Sequence, residues 1–171
     1  SGSMSGDKLS WAKAAAVAAV EVLGERDTVG VVSFDSEAQW NLRPTSLKNR
    51  TAVTQAIRRI AAGGGTNLWP AMTEARQALK GVNASVKHMI VLTDGQTEKN
   101  NFASLAQQLR EEKVTVTTVA VGADADFKLL QDIANRGGGK FYRARNGNML
   151  PRIFQTEARR VARPLVYENA T

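Results

Sequence analysis

With 171 residues, 43% of them hydrophobic and 23% charged, the chain suits one hydrophobic core, and intrinsic disorder is excluded as its ground state. It has no cysteine and a single histidine, His88, which excludes thiol catalysis, disulfides and cysteine zinc sites and disfavours histidine metal sites. The net charge of +7 is spread from Lys8 to Arg163 with one modest concentration at Arg143, Arg145, Arg152, Arg159, Arg160 and Arg163, so solvated helix faces are expected and no nucleic-acid partner.

In chain order, Leu9, Ala12, Ala16, Val17, Val20 and Leu23 recur at three- and four-residue steps and predict a helix over Lys8 to Leu23, ended by Gly24. Thr28 to Phe34 is a nearly unbroken β-branched and aromatic run, the pattern of a strand covered on both faces. Asp35-Ser36 turns the chain, and Glu37 to Leu42 alternates polar and apolar residues, as an antiparallel edge strand does. Val53, Ala56, Ile57 and Ile60 place a helix over Asn49 to Ile60, closed by Gly63, Gly64 and Gly65. Thr66-Asn67 supplies N-cap chemistry for a helix from about Leu68 to Leu79, with Pro70 in the tolerant first turn.

Lys87 to Thr93 is a second buried strand, stopping at Asp94-Gly95, and Phe102 to Arg110 is helical. Val114 to Val121 is a third buried strand, Phe127 to Ala134 a helix, Lys140 to Arg143 a short strand, and Met149 to Val161 the last helix. Asp124 and Asp126 are read as helix caps, and Trp11, Trp40 and Trp69 mainly as packing residues. Strands alternating with helices define a doubly wound α/β class: a mainly parallel sheet with one antiparallel edge strand and helices on both faces. No segment reaches the roughly 18 to 20 apolar residues of a membrane-spanning helix, so no membrane contact is expected of this fragment.

In such sheets ligands bind beyond the carboxyl ends of the strands. Three segments meet that description: Ser1 to Ser5, the loop Gly63 to Asn67, and the turn Thr93-Asp94-Gly95. They offer hydroxyl and carboxylate oxygens without nitrogen or sulfur, the donor set of a hard cation such as Mg²⁺, Mn²⁺ or Ca²⁺. No Ser/His/Asp set is assembled, and no enzyme activity is expected.

These segments resemble those of the von Willebrand factor type A (vWA) family, in a bacterial form. That family builds a metal-ion-dependent adhesion site from Asp-x-Ser-x-Ser, a separate threonine and a separate aspartate. Ser1-Gly2-Ser3-Met4 resembles its serines, Gly64-Gly65-Thr66-Asn67 its threonine loop, and Leu92-Thr93-Asp94-Gly95 its aspartate turn. Val119 to Gly122 and Gly138 to Tyr142 extend the likeness over essentially the whole chain.

The resemblance implies a Rossmann-like vWA domain over residues 1–163, followed by a tail or linker over 164–171, within a membrane-associated or secreted bacterial protein. It implies metal ligation by Ser1, Ser3, Thr66 and Asp94, and a protein partner whose carboxylate completes the coordination sphere. Trp69, Asn67 and Gly95 would stand at the partner-binding rim. The motif's aspartate would stand two positions before Ser1, and the family's first, central strand would precede it. A chain beginning at Ser1 is therefore expected to bind metal weakly or leave the site empty, and to fill the strand's place with Leu165-Val166-Tyr167 or with a strand exchanged between copies. Two rival expectations are a nucleotide-binding or metal-dependent phosphoryl-transfer domain using Thr66 and Asp94, and a structural assembly module with a vestigial metal site.

Overall fold

A computed structural model describes residues 7–61 and 67–162. Six helices and five strands follow in the order α1 (Asp7–Val22), β1 (Thr28–Phe34), β2 (Ala38–Ser46), α2 (Arg50–Arg58), α3 (Leu68–Lys80), β3 (Lys87–Thr93), α4 (Phe102–Glu111), β4 (Val114–Val121), α5 (Phe127–Gly137), β5 (Gly138–Ala144) and α6 (Leu150–Ala162).

Among the described residues the strands form two sheets. β3, β4 and β5 run parallel, joined by α4 and α5, while β1 and β2 make an antiparallel pair. The antiparallel strands thus form a separate sheet and are not hydrogen-bonded to the parallel one. The proposed filler, Leu165-Val166-Tyr167, lies outside the described residues, as does the expected boundary after residue 163.

Helices on both sides bind the two sheets into one body. On one face, Ala12 and Ala15 of α1 pack with Ile90, Leu92, Val119 and Val121, and with Leu150, Ile153 and Phe154 of α6. Farther along α1, Ala16, Val17 and Val20 turn to β1 and β2, meeting Val29, Val31 and Leu42 together with Val53 and Ile57 of α2. On the other face, Leu68 and Met72 of α3 join Phe34, Met89 and Val91 with buried residues of α4 and α5. Val91 and Leu92 therefore point to opposite layers, as the two-residue period of a strand requires. Both faces of β3 and β4 are covered, and apolar residues accordingly stand on both faces of each strand, with the hydroxyls of Thr117 and Thr118 bonded inside.

Local chemistry fixes several ends. The guanidinium of Arg50 reaches back to the carbonyls of Val20 and Leu23, satisfying acceptors that the end of α1 leaves open. Asp126 caps α5 by accepting from Leu129 N at 3.1 Å, and Gly138 closes the same helix in the left-handed region at φ 74°. The second strand runs past its expected end at Leu42 to Ser46, because Thr45 and Ser46 pair with Val29 and Thr28. Pro44 is tolerated there at a register irregularity, on a strand whose other edge pairs with no strand among the described residues.

Candidate metal and partner site

The parallel strands β3 and β4 stop side by side at Thr93 and Ala120–Val121. Asp94 follows at once, its side chain 0% exposed. A carboxylate so far from water requires compensating charge or hydrogen bonds. The Lys8 ammonium, in the first turn of α1, supplies one at 3.3 Å from Oδ2. Thr93 is also buried, and its hydroxyl accepts from Gly95 N at 3.4 Å, which holds the turn.

The entry to α3 is tied to this end of the sheet by three bonds. Asn67 N donates to the carbonyl of Asp35, just past β1, at 2.7 Å. Leu68 N donates to Thr97 Oγ1 at 2.9 Å, and Asn67 Nδ2 to Glu98 Oε2 at 3.3 Å. The chain leaving Asp94 is thereby fastened to the residue that follows Thr66. Asp35 itself accepts from the backbone N–H of Glu37, and that bond holds its carboxyl below the usual carboxylate range.

Ser1, Ser3 and Thr66 lie outside the described residues. Of the expected metal ligands Asp94 is described, and it lies directly after the end of β3. Of the expected rim residues, Asn67 begins α3, but its side chain turns to Glu98 and makes no cap bond. Trp69 is partly buried and meets Phe102 edge-on, with ring centroids 5.4 Å apart, so packing takes much of its surface. Gly95 sits in the turn. Lys8, Thr97 and Glu98 were not singled out from the sequence, since no local pattern reports a contact made across 29 to 86 positions.

The donor chemistry here suits a hard cation. Among the described residues no three His, Cys, Asp or Glu side chains gather as a metal cluster. Asn67 Oδ1 is buried without a hydrogen-bond partner among the described residues. It is a second oxygen at this end of the sheet whose lone pairs an ion or its water could satisfy.

A second polar cluster lies toward the amino ends of the parallel strands, on the α6 side. Glu157 of α6, 0% exposed, accepts from Thr117 Oγ1 and from Tyr142 OH at 2.9 Å, and pairs with Arg160. His88 Nε2 lies 3.1 Å from Glu157 Oε1 without an aligned hydrogen bond, while its Nδ1 is 2.6 Å from Thr115 Oγ1. Burial pushes the Glu157 carboxyl up. The surrounding contacts from His88, Arg160, Thr117 and Tyr142 outweigh that, and hold it far below the usual range. For Tyr142, burial first and then the neighbouring carboxylate push the phenol up.

The fold agrees with that of related proteins. The von Willebrand factor type A domain profile matches residues 1–156, and the chain belongs to that family, whose members generally serve as metal-dependent protein-interaction modules. An uncharacterised protein of Synechocystis is 32% identical over 143 residues, covering 81% of this chain and 34% of that protein. Human inter-alpha-trypsin inhibitor heavy chain H4 is 30% identical over 181 residues, covering 97% of this chain and 20% of its own length. The chain thus spans about a third or less of these relatives.

Among solved structures, a von Willebrand factor type A protein from Catenulispora acidiphila superposes with a TM-score of 0.81 at 27% identity, over 92% of this chain and 39% of that one. Proximal thread matrix protein 1 from the mussel byssus, solved with zinc in its metal-ion-dependent adhesion motif, shares the fold with a TM-score of 0.76 at 20% identity. That match covers 89% of this chain and 40% of the mussel protein.

Proposed function

We propose that this chain is a non-catalytic protein-binding module that recognises an acidic group of its partner through a divalent cation held at the carboxyl end of β3. The observation that carries the reading is Asp94: a fully buried carboxylate at the end of a central parallel strand, with the start of α3 fastened beside it. Ser1, Ser3 and Thr66 would add hydroxyl oxygens, and Asp94 a carboxylate acting directly or through water. Mg²⁺ suits few protein oxygens plus waters, and Mn²⁺ or Ca²⁺ could take the same set.

A cation held mainly by neutral oxygens keeps residual positive charge, which attracts an incoming carboxylate from the partner. Asn67, Gly95 and the exposed edge of Trp69 would form the rim that such a partner touches. The zinc-occupied motif of the mussel protein is a precedent for metal in this fold. Support for a binding role over catalysis comes from His88, the chain's single histidine, which is engaged with Thr115 and Glu157 on the α6 side of the sheet.

Thermal unfolding with Mg²⁺ or Mn²⁺, and separately with ATP, tests the reading. Stabilisation by the ions alone, removed by Asp94→Ala, is the expected outcome. At a hundredfold excess over Kd it amounts to about 2.7 kcal/mol. Stabilisation by nucleotide instead would favour phosphoryl-transfer chemistry, and a response to neither would favour a structural module with a vestigial site.

One further reading concerns strand exchange between copies. Among the described residues β1 and β3 each have a hydrogen-bonded neighbour on one edge only, while α1 and α3 pack against both sheets. An extended segment from a second copy could pair with such an edge. A concentration-dependent dimer in sedimentation would support this, and a monomer at all concentrations would exclude it.

A further inference from the structure

The Lys8 side chain occupies an unusual place. It stands in the first turn of α1, near the positive end of the helix dipole, where a cation is disfavoured. Asp94 offsets that cost, since a buried carboxylate needs a counter-charge and the ammonium lies 3.3 Å from its Oδ2. The ammonium is also seated at the end of β4, for a Cβ built on Gly122 would lie 3.5 Å from Lys8 Nζ. Gly122 has φ 82° and no side chain to fill that space. The lysine is 41% exposed while the aspartate is 0% exposed. One partner can therefore withdraw into water, and the other cannot.

We propose that Lys8 is a built-in counter-cation for Asp94, balancing its charge in the metal-free protein and giving way when a divalent cation binds, so that Lys8 sets the affinity of the site. This rests on the reading of Asp94 as part of a metal site. An ion bonded to Asp94 at about 2.1 Å would lie close to the ammonium's present position. Two cations cannot share that carboxylate without repulsion. The flexible four-carbon stem lets the ammonium swing outward, and the bound ion replaces its charge. The affinity measured for the ion is then that of an exchange, weaker than the affinity for an unpaired carboxylate.

Mg²⁺ and Mn²⁺ titrations of thermal unfolding on wild type, Lys8→Met and Lys8→Arg test this. Lys8→Met keeps the apolar stem and removes the charge. It is expected to lower the ion concentration at half-effect by about fivefold, the scale of a partly exposed ion pair, while Lys8→Arg stays near wild type. An unchanged or raised midpoint in Lys8→Met, or an equal drop in both variants, overturns the proposal.

A chelator-treated cycle of Lys8→Met, Asp94→Asn and the double variant separates the two layers of the argument. Favourable coupling between the positions in chelator, abolished by saturating ion, is expected. No ion response in any variant, with the coupling present, overturns the metal reading and the exchange built on it but leaves the pairing standing. No coupling in chelator overturns the pairing itself.

Discussion

Two buried carboxylates, Asp94 and Glu157, sit on the same parallel sheet in opposite circumstances. Glu157 is surrounded: Thr117, Tyr142, Arg160 and His88 close on it from β3, β4, β5 and its own helix. Asp94 has a lysine whose side chain is 41% exposed and belongs to the first turn of α1. A carboxylate saturated with fixed partners holds a helix in place. One whose counter-charge can leave is available to an incoming ion. On the proposed reading, Glu157 is a structural charge and Asp94 a metal-binding one.

The largest expected effect falls on the saturated end. Glu157→Gln leaves the surrounding donors without their anion, and because the partly exposed Arg160 can turn to water the cost stays at the lower end of that for a broken buried pair, about 3 kcal/mol, read as a loss in denaturant unfolding. The sign with pH follows from the lowered carboxyl. The contribution of Glu157 is full above its unfolded value of 4.5 and is lost as pH falls toward the much lower folded value. The gap between wild type and Glu157→Gln should therefore narrow steadily below about pH 4.5, the unfolded carboxyl value. A gap that stays constant in acid would mean that the network is not held by charge.

At the other end, Asp94→Ala should remove the stabilisation by Mg²⁺, about 2.7 kcal/mol at a hundredfold excess, while Glu157→Gln retains it. If both variants lost the ion response equally, the division between the two ends would fail. The smallest effect is expected from Thr97→Val. It deletes the bond to Leu68 N at 2.9 Å and should cost about 1 kcal/mol, with a weaker ion response because the start of α3 is loosened.

Much of the framework was legible. The strands Thr28–Phe34, Lys87–Thr93 and Val114–Val121 match their expected limits, because β-branched runs flanked by turn residues have no competing reading. The second strand was read short, since the alternation of polar and apolar residues stops at Leu42 while Thr45 and Ser46 still pair with β1. At the site, Asp94 could be found from its place after a buried strand. Lys8 could not, since its pairing spans 86 positions. Glu157 did leave a trace: it falls on the same helical stripe as Leu150, Ile153 and Phe154, where a charge needs buried partners.

Electron paramagnetic resonance of Mn²⁺ added to the protein addresses the site most directly, because bound ion loses the sharp lines of the free hydrated one. At protein concentrations high enough to fill a weak site, the spectrum of free Mn²⁺ should diminish on adding wild-type chain and persist on adding Asp94→Asn, while Glu157→Gln behaves as wild type. Equal binding by wild type and Asp94→Asn, or free ion throughout, would contradict the assignment of the metal to the end of β3.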